Sequence, residues 1–105
     1  MTFLPEMGVV IPVSEEYAAE AVEIARKMEM AGLRVKADTR SETVGKRIRA
    51  AVRRRVPYIV VYGEAERRSG ELKVRVQGRT EEMIMREEEL TAYMTRKVKK
   101  YELGY

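Results

Sequence analysis

The 105-residue sequence predicts an α/β fold of three layers, a mixed sheet of about five strands with three helices. Three observations predict it. Short β-branched runs alternate with segments of helical period, turn signals fall between them, and the run Tyr58 to Tyr62 is almost wholly apolar. An all-apolar strand belongs in the middle of a sheet, buried on both faces. A chain of this length can bury roughly two-thirds of its unfolded surface around one core, so residues 1–105 read as a single domain.

Val9 to Val13 is the first strand. Ser14 follows as a helix N-cap, with Glu15 and Glu16 at the positive end of the helix dipole. Helix one is expected from about Glu15 to Ala31, burying Ala18, Ala21, Val22, Ala25 and Met28, with Gly32 as its left-handed stop. Leu33, Val35 and Ala37 alternate with Arg34 and Lys36, which makes a second strand and completes a parallel βαβ unit.

Helix two follows the loop Asp38 to Ser41, with Val44, Ile48, Ala51 and Val52 as its buried stripe and Lys46, Arg47, Arg49 and Arg53 off it. Pro57 disfavours helical geometry in the residue before it, so this helix ends near Arg54. Gly63 turns the chain after the central strand, and Ser69-Gly70 is a second turn signal. Leu72, Val74 and Val76 then alternate with Glu71, Lys73 and Arg75 in a half-exposed strand. By periodicity, Met83 to Met85 is either an edge strand or the start of the last helix. That helix, about Glu87 to Lys100, carries an inner stripe of Leu90, Met94, Val98 and Tyr101.

Net charge is +4, but the distribution is uneven: −4 over residues 1–33, +9 over 34–79 and −1 over 80–105. A central basic block suits a phosphate backbone, although on its own such a block is more commonly a solvated face. The chain has no histidine or cysteine, so acyl-transfer chemistry lacks its usual base and nucleophile, zinc lacks its usual ligands, and no cofactor or metal is expected. The acidic pairs and triplets, Glu15-Glu16 and Glu87-Glu88-Glu89, sit at helix starts, where carboxylates are favoured without catalysis. The longest strongly apolar run is too short to cross a bilayer. Pro5 and Glu6 interrupt the apolar start, so no signal peptide is expected, and a cytoplasmic location is the default.

The stretch from Ala37 to Arg49 has the form A-D-x-R-x-E-x-x-G-x-x-I-R, and Val56-Pro57-Tyr58 leads through an apolar strand to Gly63 and Glu66. With Val9 to Val13, Ser69-Gly70 and Lys73 to Arg75, these motifs resemble the anticodon-binding domain of class II aminoacyl-tRNA synthetases, nearest to the C-terminal module of the threonyl type. The resemblance covers most of the chain and favours a strand at Met83 to Met85. It implies a module that binds tRNA beside the catalytic domain of a parent synthetase, with no active site and no membrane contact of its own. Homologous modules of prolyl, histidyl or glycyl enzymes, or a free-standing relative that binds another protein, are the alternatives. A small α/β enzyme is the most distant reading, since no nucleophile or base is supplied.

Residue by residue, the resemblance implies that Glu66 and Arg75 contact the middle anticodon base, a guanine in threonine tRNAs, and that Ser41, Arg49 and Arg55 face the anticodon loop. A carboxylate accepts from the Watson–Crick donors of guanine, and a guanidinium fork donates to O6 and N7. Without the resemblance, Arg75 is the exposed side of an alternating strand and Glu66 a charge in a polar turn. Tyr58, Tyr62 and Tyr93 read as core rather than as stacking platforms. The chain departs from the pattern at Val76 to Thr80, where family members often carry further basic residues and a glycine pair.

Overall fold

The computed structural model describes residues 6–78, 80 and 82–102, with side chains as far as Lys97 in the last helix. Strand β1 (Gly8–Pro12) leads through a 3-10 turn (Glu15–Tyr17) into α1 (Ala18–Met30), β2 (Val35–Ala37), α2 (Val44–Arg53) and β3 (Tyr58–Tyr62). A short helix α3 (Glu64–Ser69), strands β4 (Glu71–Val76) and β5 (Glu82–Arg86), and α4 (Glu87–Glu102) complete the chain. The sheet order is β2-β1-β3-β4-β5, and β3 is central as its apolar sequence requires. β1 is parallel to β2 and β3, whereas β4 and β5 add antiparallel strands on one side.

Strand alternation divides the core in two. Val10, Val35, Tyr58, Val60, Tyr62, Leu72 and Val74 pack against Ala21, Ile24 and Met28 of α1 and Leu90 and Met94 of α4. Val9, Ile11, Val56 and Ile59 meet Ala51 of α2 on the opposite face. The three layers and five strands agree with the sequence reading, including β5 at Met83 to Met85. The helix count differs: α3 forms where a turn was expected, because the Glu66 carboxylate reaches back to accept from the Gly63 N–H at 2.8 Å. Gly63 also admits a close approach, since a Cβ there would lie 2.8 Å from Val13 Cγ2.

Three local expectations are corrected. In α1 the buried stripe includes Ile24 in place of Val22, which is exposed. The Ser14 side chain makes no cap hydrogen bond, and the chain enters α1 through the 3-10 turn instead. In α2, Val52 is 46% exposed while Arg47 is buried, because the long guanidinium stem reaches a carbonyl that the apolar pattern does not show. The Val98 and Tyr101 side chains lie outside the described residues.

Both larger parallel crossovers end in the same device. Gly32 N–H donates to Glu29 O at 2.9 Å and Leu33 N–H to Met28 O at 3.1 Å, the paired bonds of a Schellman stop. At the end of α2 the same bonds run from Arg55 to Val52 O at 3.0 Å and from Val56 to Ala51 O at 3.1 Å. Here the left-handed position is held by an arginine, Arg55, at φ 60°.

Candidate nucleic-acid interface

Helix α2 is the organiser of the basic block. Thr43 caps it by accepting from the Lys46 N–H at 3.1 Å. Its inner side is held by Ala51 and by Arg47, whose Nη1 donates to the Asp38 carbonyl oxygen at 2.8 Å. Its outer side presents Lys46, Arg49 and Arg53, which line one shallow groove with Arg40 and Glu42. Lys46 has Glu42 at 3.7 Å and Arg40 is bound to Asp38 at 2.8 Å. Among the described residues, Arg49, Arg53 and Arg55 have no carboxylate within ion-pair distance, so their charge is available to a polyanion.

A cavity of about 700 Å³ lies at the C-terminal ends of β1 and β2. Ser14, Thr39, Arg40, Ser41, Thr43 and Arg47 are among its walls. Asp38 shapes it: hydrogen bonds from Arg40 hold the Asp38 carboxyl below the usual carboxylate range, against the opposing effect of burial. The cavity shares Arg40 and Glu42 with the α2 groove, so Ser41 and Arg49 belong to neighbouring parts of one surface.

A second feature is the sheet itself. Helix α2 covers β1 and reaches Ile59, leaving the outer sides of β4 and β5 bare, with Lys73 and Arg75 exposed and Ile84 61% exposed. Between α2 and these strands runs a groove of about 380 Å³ lined by Ile48, Val52, Ile59, Arg75, Gln77 and Glu82 among others. Arg75 therefore stands in a groove with an apolar floor. The sequence reading missed Glu82 and the open position of Val52, because the register of β4 with β5 and the seating of α2 over β1 follow from strand pairing and packing, which periodicity does not show.

Glu66 is placed elsewhere. It is 9% exposed, its carboxylate is engaged with Gly63, and it lines a separate cavity with Glu20, Ile24 and Tyr62. In that cavity Arg67 pairs with Glu20, Tyr62 donates to Glu20 at 2.6 Å, and Arg67 lies over the Tyr17 ring. Burial and the Glu20 hydrogen bond push the Tyr62 hydroxyl up to about 12. The structure thus joins Ser41 and Arg49 on the basic surface, puts Arg75 on the bare sheet face, leaves Arg55 exposed at the turn after α2, and places Glu66 in a cavity that none of these four lines. No group of three metal-ligating side chains occurs among the described residues, nor any helix long and apolar enough to cross a membrane.

The family described as "Anticodon binding domain" matches residues 8–97. The threonine–tRNA ligase of Caldivirga maquilingensis is 49% identical over 92 residues, and that of Staphylothermus marinus 41% over 92. Each alignment covers 88% of this chain and 15% of the relative, so the chain spans only a small part of the length of these enzymes. Among solved structures, the RNA binding domain of threonyl-tRNA synthetase from Cryptosporidium parvum superposes with a TM-score of 0.80 at 22% identity, covering 89% of this chain and 25% of that one. Histidyl-tRNA synthetase from Nostoc sp. PCC 7120 gives 0.81 at 19%, covering 90% and 23%. These two likenesses bear on the fold, while the match over residues 8–97 bears on descent: the chain belongs to the anticodon-binding domain family of the aminoacyl-tRNA synthetases.

Proposed function

We propose that this domain binds the anticodon loop of threonine tRNA in the cytoplasm, as the RNA-reading part of a threonine–tRNA ligase whose catalytic domain lies elsewhere. The observation that carries this reading is the set of exposed cations without carboxylate partners on and just after α2, Arg49, Arg53 and Arg55, in a domain that also leaves bare a sheet face holding Arg75. Cations without carboxylate partners meet phosphate without first losing an ion pair, and a bare strand face lets an unstacked base approach side chains. Arg49 and Arg55 serve the backbone or base edges, Ser41 lines the cavity next to them, and Arg75 donates to O6 and N7 of the middle guanine. Glu66 holds the turn after β3.

Threonine anticodons share a middle G, which supplies the test. The domain is titrated at fixed salt with a threonine anticodon stem-loop and with the same loop carrying C at the middle position. A preference for G is expected, and Arg75→Ala should lower affinity by about 1–3 kcal/mol while relaxing that preference. Equal binding of both loops by the unaltered domain would reduce the function to sequence-blind RNA binding.

A further inference from the structure

Glu82 stands directly opposite Arg75 in the β4–β5 register, with its Oε2 3.6 Å from Arg75 Nε. The two side chains are 48% and 56% exposed. An ion pair this open adds little to stability, so both charges can turn to a ligand at small cost. Both residues line the groove floored by Ile48, Val52 and Ile59. Glu66, the other carboxylate that bears on base reading, is buried against Gly63 in a different cavity.

We propose that Glu82 is the specificity-determining partner of Arg75, accepting from N1–H and the N2 amino group of the guanine whose O6 and N7 accept from Arg75. This rests on the anticodon reading proposed above. On a guanine, O6, N1 and N2 follow one another along a single edge, so a guanidinium and a carboxylate side by side match it in order. Adenine presents an acceptor at N1 and leaves the carboxylate facing a lone pair. A site built for a donor rejects the analogue that lacks it because its own polar group is left unpaired. The apolar floor receives the face of the base.

The test compares the unaltered chain with Glu82→Gln and Glu66→Gln against three threonine anticodon stem-loops, with G, inosine or C in the middle. Inosine keeps O6, N1–H and N7 but lacks the N2 amino group. The unaltered chain should favour G over inosine roughly tenfold, and Glu82→Gln should bring that ratio to within about twofold while the preference over C falls less. Glu66→Gln should leave the ratio intact. Retention of the ratio by Glu82→Gln overturns the proposal, and its loss in Glu66→Gln alone would assign the role to Glu66, with anticodon reading still standing. An unaltered chain that separates G from C but not from inosine overturns Glu82 alone, and one that separates none of the three overturns both.

Discussion

Arg47 on α2 places its Nη1 2.8 Å from the carbonyl oxygen of Asp38, so a buried guanidinium ties the loop bearing Arg40 and Ser41 to the helix that bears Arg49 and Arg53. The same side chain also approaches the Thr43 carbonyl through Nε at 3.5 Å. One residue thereby sets the spacing of the cavity wall and the basic groove.

Arg47→Leu keeps bulk at this position but removes the donor. It should destabilise the fold by about 1–3 kcal/mol, the penalty for a buried carbonyl left without a partner. Urea unfolding measures this, and an unchanged midpoint and slope would mean that water satisfies Asp38 in the variant.

Arg55 occupies a left-handed position that glycine fills without steric cost, as Gly32 does after α1. A side chain there costs about 1–2 kcal/mol. Arg55→Gly should therefore raise thermal stability while weakening binding to the anticodon stem-loop. A gain in stability with unaltered affinity would remove Arg55 from the RNA surface and leave its strain unexplained by binding.

Arg49 and Arg53 are expected to meet phosphate. Each replaced by alanine should weaken binding to all stem-loops alike and lower the slope of log affinity against log salt by about one. Arg26, on α1 and bound to Glu23 by two hydrogen bonds, supplies the control, since Arg26→Ala should leave that slope unchanged.

Two groups set opposite pH limits. The Asp38 carboxyl is lowered by hydrogen bonds from Arg40, so its contribution is present above the unfolded carboxylate value and is lost as pH falls through the folded one. The Tyr62 hydroxyl is raised from 10.0 to about 12 by burial and then by Glu20, so its contribution is complete below pH 10 and fades as pH rises toward 12. Denaturation curves across pH should show Asp38→Asn flattening the acid limb and Tyr62→Phe the alkaline limb. Unchanged limbs would shift the assignment to other groups.

Val52 and Val74 test the packing directly. Val52 lies in the open groove and Val74 is fully buried. Val52→Ala should change stability by less than about 0.5 kcal/mol, whereas Val74→Ala should cost about 1.5 kcal/mol or more from two lost methylene equivalents. Similar losses for both would place Val52 in the core.

The alternation of strands and helices, the central position of β3 and the Gly32 stop were all legible along the chain, because periodicity and turn chemistry are local. The resemblance motifs likewise lie in single stretches, Ala37 to Arg49 and Val56 to Glu66. What tertiary structure alone decided are relationships between distant residues. Arg47 is buried because the Asp38 carbonyl waits nine residues away, Val52 is exposed because α2 covers β1 rather than β4, and Glu66 is committed because a six-residue helix, Glu64–Ser69, follows Gly63 instead of a loop. The pairing of Arg75 with Glu82 depends on strand register across a loop, which hydrogen bonding between β4 and β5 sets and no local pattern encodes.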